Sequence, residues 1–132
     1  MASRGHILVV DDDPVQRRIL EETIRRAGHE VRTAQSGEQA LALLDGPEAA
    51  NISLVLLDLV MPGLDGIGVL ERLQRRQGAP PVIVQTAHGS VDAAINAMRA
   101  GAVDFVMKPV AAERLEVSIK NALKIEALAV EI

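Results

Sequence analysis

The chain has 132 residues, 48% of them apolar and 24% charged, and a formal net charge of -4. That length holds one packed core rather than two, and its scattered Lys and Arg form no basic block with which to grip nucleic acid, so direct DNA binding by this segment is not expected. Cysteine is absent and Phe105 is the only residue among Phe, Tyr and Trp, so disulfides are excluded and the core must be aliphatic; with no apolar run of bilayer length and no signal-peptide pattern, no membrane association is expected and a cytoplasmic protein is the simplest reading.

The apolar run His6 to Val10 predicts a first strand. Asp11, Asp12 and Asp13 follow it, and Asp13 before Pro14 reads as a helix cap with proline at the first helical position. Ile19, Leu20, Ile24 and Ala27 give that helix its apolar spacing. A weaker run from His29 to Thr33 predicts the second strand. Ser36 with Gln39 forms a capping box for a second helix carrying Ala40, Leu41 and Leu44. The run Ile52 to Leu57 predicts a third strand ending at Asp58, and Met61-Pro62-Gly63 a turn that leaves this end open. Asp65 can cap the third helix. Pro81 to Gln85 predicts a fourth strand ending at Thr86, and Ser90 can cap a fourth helix with Ala94, Ile95, Met98 and Ala102. Val103 to Met107 predicts a fifth strand, which delivers Lys108-Pro109.

A last helix is expected from about Ala111 to the final residue. Leu115, Ile119 and Leu123 fit packing on a sheet, whereas Ile125, Leu128 and Ile132 are spaced as in a heptad seam. The expectation is a domain over residues 1–124 and a helical extension over 125–132, serving either as a dimerising helix or as a linker to an output domain outside this chain.

Regular alternation of strands and helices with short connections implies an α/β fold, a doubly wound parallel sheet covered by helices on both faces. Ligands of such sheets bind outside the carboxyl ends of the strands. Asp11, Asp12, Asp58, Thr86 and Lys108 all fall there. If the first and third strands are neighbours, three carboxylates converge and repel unless a cation or proton lies between them; a hard ion such as Mg²⁺, which takes oxygen ligands and commonly joins carboxylate to phosphate, answers that need. Asp58 is then the candidate nucleophile toward phosphorus, Lys108 a fixed positive charge for a phosphoryl oxygen, and Thr86 a hydroxyl donor.

Taken together, Val9-Val10-Asp11-Asp12, Leu57-Asp58 with Met61-Pro62-Gly63, Thr86-Ala87 and Lys108-Pro109 resemble, over nearly the whole chain, the motif set of two-component response-regulator receiver domains. The resemblance implies a flavodoxin-like, CheY-like sheet of strand order 2-1-3-4-5. It implies that Asp58 accepts a phosphoryl group from a sensor histidine kinase, that Asp12, Asp58 and the backbone carbonyl of Val60 bind Mg²⁺, and that Asp11 acts mainly through a metal-bound water. Lys108 would pair with the phosphoryl group, Thr86 would turn toward it, and Phe105 would occupy the aromatic switch position, without the hydroxyl that a tyrosine brings. The Lys108-Pro109 bond is expected to be cis. The stretches Thr86 to Ala94 and Gly101 to Phe105 look most like receivers of sigma-54-dependent, NtrC-type transcription regulators, which suggests a transcriptional output and a homodimer through the last helices.

Blander readings stand beside these. Asp13 reads as a cap, His6 and His29 as strand-edge residues, the Arg17-Arg18, Arg25-Arg26 and Arg75-Arg76 pairs as solvated helix faces, and His88 as a loop residue tuning phosphoryl lifetime. An aspartyl-phosphate phosphatase of the haloacid-dehalogenase type would need an acid where Val60 stands, so turnover of a substrate is not expected. A nucleotide or flavin module would need a glycine- or hydroxyl-rich loop where three aspartates stand. A stand-alone regulator, or an interaction module that works without phosphorylation, remains as the alternative.

Overall fold

The computed structural model describes residues 5–47, 49–87 and 91–131, with side chains described as far as Lys124. Five strands, β1 (His6–Val10), β2 (Glu30–Ala34), β3 (Leu54–Asp58), β4 (Val82–Thr86) and β5 (Asp104–Met107), alternate with five helices. The helices are α1 (Pro14–Arg26), α2 (Gly37–Asp45), α3 (Gly66–Gln74), α4 (Val91–Arg99) and α5 (Ala112–Glu131). The strands form one parallel sheet in the order β2-β1-β3-β4-β5. The expected doubly wound architecture is therefore present, order included. Among the described residues no helix is long and apolar enough to cross a membrane.

Strand residues alternate between two aliphatic cores. Leu8, Val10, Val55, Leu57, Val82 and Val84 pack beneath α2, α3 and α4. Ile7, Val9, Leu54, Leu56, Ile83 and Val106 pack beneath α1 and α5. Burial on both faces explains why β3 and β4 read as continuous apolar runs instead of alternating ones.

Four strands begin one or two residues later than the sequence suggests, β5 at Asp104 rather than Val103 among them. Ile52 is held in a turn whose Ile52 N–H donates to the Ala49 carbonyl, so β3 starts at Leu54. Pro81 precedes β4 and offers only its carbonyl to Val55. β2 is displaced by one residue because pairing with β1 sets His6 against Glu30. The apolar stripes of two helices are also wider than the faces they bury. Ile19 of α1 and Ile95 and Met98 of α4, part of that apolar spacing, are exposed, while Leu20 and Ile24, and Ala94 and Ala97, make the contact.

The helix starts follow local chemistry. Asp13 accepts from the Val15 and Gln16 N–H groups and Asp65 from Gly68 N–H, satisfying donors that a helix start leaves open. Ser36 accepts from Gln39 N–H, but the returning arm of the box lands one residue early, with Gln39 Oε1 accepting from Gln35 N–H at 2.7 Å. Ser90 lies outside the described residues.

Candidate functional site

The site is assembled by register. Val10 of β1 pairs with Leu57 of β3, so the next residues, Asp11 and Asp58, leave the sheet side by side. Both are buried, whereas Asp12 is exposed at the mouth of the cluster. Ligand oxygens of Asp11, Asp12 and Asp58 lie within 4.8 Å of one another. Lys108, two positions past the buried Val106 of β5, reaches across so that Nζ stands 3.0 Å from Asp58 Oδ2 and 3.8 Å from Asp11 Oδ2. The Lys108-Pro109 bond is cis, as expected.

Two turns hold the carboxylates. Asp11 Oδ1 accepts from Asp13 N–H at 2.9 Å, and Asp58 Oδ1 from Val60 N–H at 3.1 Å. Arg17 donates to the Asp11 carbonyl at 2.9 Å and ties α1 to this corner. Burial pushes the Asp11 carboxyl above its ordinary value of 3.8, and the charges of Asp58 and Asp12 add to that, against the opposing pull of the Asp13 N–H and Lys108. One ammonium thus serves a cluster of three carboxylates, two of them desolvated. An all-oxygen set of this kind suits a hard divalent cation, which would supply the missing positive charge.

Neighbouring loops are fixed by contacts that only small residues allow. A carbon added at Gly66, the first residue of α3, would lie 2.5 Å from the Asp58 carbonyl oxygen and 2.6 Å from Leu59 Cα. Gly63 turns the β3–α3 loop with φ +75, a backbone shape that glycine adopts without steric cost. Glu38 of α2 accepts from Leu64 N–H at 3.1 Å and anchors the same loop from the far side.

The expected residues do not all meet. Asp11, Asp12, Asp58 and Lys108 form one cluster. Thr86 is buried at the end of β4, where its hydroxyl donates to the Ala87 carbonyl at 3.4 Å, and its link to the cluster is through its backbone carbonyl, which accepts from Lys108 N–H at 2.8 Å. Phe105 is half-buried against the core beneath α2, α3 and α4, and its carbonyl accepts from Arg114 of α5 at 2.8 Å. Val60 is exposed beside Asp58. His88 and the side chains of Ile125, Leu128 and Ile132 lie outside the described residues. Asp13 caps α1, and His29 Nδ1 accepts from Gly5 N–H, far from the cluster.

Gln85 was not anticipated. It is fully buried in β4, and its Nε2 donates to Asp11 Oδ2 at 3.1 Å. The signal for it was an amide inside the apolar run Val82-Ile83-Val84, since a buried polar residue is the informative exception in such a strand.

Residues 7–120 match the family described as the response regulator receiver domain. The chain belongs to that family. The receiver is 39% identical over 124 residues to the transcriptional regulatory protein FixJ of Bradyrhizobium diazoefficiens, covering 94% of this chain and 59% of FixJ. It is 37% identical over 130 residues to DctD, the C4-dicarboxylate transport transcriptional regulatory protein of Pseudomonas aeruginosa, covering 98% of this chain and 27% of DctD, so regulators of the NtrC type are among its relatives. A receiver-domain structure from Clostridium thermocellum superposes with a TM-score of 0.88 at 33% identity, covering 95% of this chain and 98% of that one. The chain thus spans between about a quarter and three-fifths of the curated relatives named here.

Proposed function

We propose that this receiver accepts a phosphoryl group on Asp58 from a sensor histidine kinase and relays the event to a transcriptional output. The observation that carries the reading is the Asp58 carboxylate, buried at the end of the central strand with Asp11 and Asp12 within 4.8 Å and Lys108 Nζ at 3.0 Å.

An Asp58 oxygen would attack phosphorus in line with the leaving group. A P–O bond to the carboxylate forms as the bond to the donor breaks, and the donor, a phosphohistidine imidazole or the acetate of acetyl phosphate, leaves with the electron pair. Asp12, Asp58 and the Val60 carbonyl would hold Mg²⁺, with Asp11 acting through a bound water. When bound there, Mg²⁺ supplies positive charge for the phosphoryl oxygens. Lys108, paired with Asp58 at rest, would transfer its ion pair to a phosphoryl oxygen. Thr86 would turn its hydroxyl from the Ala87 carbonyl toward the new anion, and Phe105 would repack into the space near it. In this reading the chain promotes only its own phosphorylation and dephosphorylation.

We also propose a cytoplasmic location, and an output supplied by a further domain fits the relatives' names and lengths. We further infer a receiver over 1–124 and an α5 extension over 125–132; α5 continuing unbroken to Glu131 supports a linker or dimerising role for those turns.

The test is intact-protein mass after incubation with acetyl phosphate, with and without Mg²⁺, for the wild type and Asp58→Asn. One phosphoryl adduct requiring both Mg²⁺ and Asp58 supports the reading. A folded wild type that gains no adduct points instead to an interaction module that works without phosphorylation.

A further inference from the structure

The Gln85 to Asp11 hydrogen bond spans the full width of β3, because β1 and β4 each neighbour β3 and not one another. Gln85 is paired in register with Asp58 and stands on the same face of the sheet as Ile83. The amide lies with Nε2 toward Asp11 for an electrostatic reason: the opposite orientation would set Oε1 against a carboxylate. Gln85 Oε1 is buried and finds no donor among the described residues.

A fully buried amide with half its hydrogen-bonding capacity unmet by protein is a poor choice for packing alone. A methionine would fill nearly the same volume without that unpaired acceptor. What the amide provides is a grip on one oxygen of Asp11. The carboxylate is then held at both ends, Oδ1 by Asp13 N–H at 2.9 Å and Oδ2 by Gln85. Released from Gln85, it is free to close further on Lys108 Nζ, already paired with it at 3.8 Å, and the tightened ion pair would compete with any cation for the same oxygen.

We propose that Gln85 is a positioning residue that sets the divalent-cation affinity of the Asp11, Asp12 and Asp58 cluster by fixing the plane of the Asp11 carboxylate. The inference rests on the reading of that cluster as a Mg²⁺ and phosphoryl site. Groups that orient the ligands or near-ligands of a metal are worth about 10-fold to 100-fold in affinity when removed.

The test is calorimetric titration of Mg²⁺ into the unphosphorylated chain. Gln85→Met removes the donor at nearly constant volume, and Gln85→Asn keeps an amide one methylene too short to reach Asp11. Val84→Ala, on the opposite face of β4 in the other core, is a control for general destabilisation. Both Gln85 variants are expected to raise the Mg²⁺ Kd about tenfold, with Val84→Ala within about twofold of wild type. In the acetyl phosphate reaction the Mg²⁺ concentration for half-maximal rate should rise by the same factor, while the rate at saturating Mg²⁺ stays within about threefold. A folded Gln85→Met with wild-type Mg²⁺ affinity overturns the inference, as does a Val84→Ala that loses affinity equally. Should Gln85→Met fail to fold, Gln85→Asn gives the same reading. A wild type that binds no Mg²⁺ overturns the cluster reading and this inference together, whereas a wild type that binds it with both Gln85 variants unaffected overturns this inference alone.

Discussion

Lys108 Nζ and Asp58 Oδ2 stand 3.0 Å apart, joining the end of the fifth strand to the end of the central one. The Asp58 side chain is 4% exposed and the Lys108 side chain 26%, so one partner is almost wholly desolvated while the other keeps part of its hydration.

That asymmetry fixes the expected result of Lys108→Ala. Removing the ammonium leaves a buried carboxylate without its cation, an effect of several kcal/mol in a sealed interior. Partial exposure of the lysine reduces it here to about 2 kcal/mol. Urea denaturation should show the loss without Mg²⁺ and a smaller loss with it. An equal loss in both conditions would mean that no cation enters the cluster.

Asp11→Asn should act in the opposite direction. Because the Asp11 carboxyl is raised above 3.8, chiefly by burial, the folded chain holds that proton more tightly than the unfolded chain does. Its ionisation therefore lowers stability progressively as pH rises from 3.8 through the folded value. Replacing the charge should raise the Tm of the Mg²⁺-free chain, by about 3 °C for each kcal/mol of burial cost relieved. The same variant should lose most of the Mg²⁺-induced stabilisation, which at one hundred times Kd is about 2.7 kcal/mol for a competent site. Thermal melts with and without Mg²⁺ read both effects.

Gly66→Ala should be costly although the residue opens a helix. Its added carbon would press on the backbone of Asp58 and Leu59, which cannot rotate aside, and overpacking of that kind costs about 1–3 kcal/mol. Gly46→Ala, whose nearest neighbour would be the Ala42 carbonyl oxygen at 3.5 Å, should change stability by no more than about 0.5 kcal/mol. Equal chemical-denaturation midpoints for the two variants would refute the steric account.

Asp104 joins β5 to α5 through Arg114 and through Ser118 Oγ at 2.7 Å. Burial pushes its carboxyl up, but bonds from Arg114, Ser118 and the Phe105 N–H, with the Arg114 charge, outweigh that and hold it below 3.8. A carboxyl depressed by folding adds stability above its unfolded value, and that stability is lost as pH falls through the folded one. Asp104→Asn should therefore cost about 1 kcal/mol at pH 7, a charge-assisted bond discounted for solvent at Arg114, and the deficit should fade as pH drops below 3.8. A deficit that persists unchanged into that acid range would rule out the charge as its source.

The sequence made the sheet legible because β1, β3 and β4 are short, largely aliphatic runs that give way to polar or charged residues at their carboxyl ends. Asp11, Asp58 and Lys108 were legible as a cluster because parallel strands put their carboxyl ends on one edge. Boundaries were less so: whether Ile52 belonged to β3 depended on a turn that Ala49 closes, and hydropathy does not encode that bond. The exposure of Ile19, Ile95 and Met98 was not legible for a related reason, since helical spacing says which residues share a stripe and not how much of it the sheet covers. Gln85 was missed because its partner lies two strands away. No local pattern connects β4 to β1.

Strand order has a further consequence. Asp58 sits at the midpoint of the five strands, and its two flanks are chemically unlike. Toward β2 the nearest polar side chains are the acids of the β1 end; toward β5 they are an amide, a hydroxyl and an ammonium. Added negative charge on Asp58 would therefore draw one flank inward and repel the other, so the two sides would respond in opposite senses. The β2 edge carries none of the cluster's side chains. A dye or a surface tether attached there would leave both responding flanks unburdened.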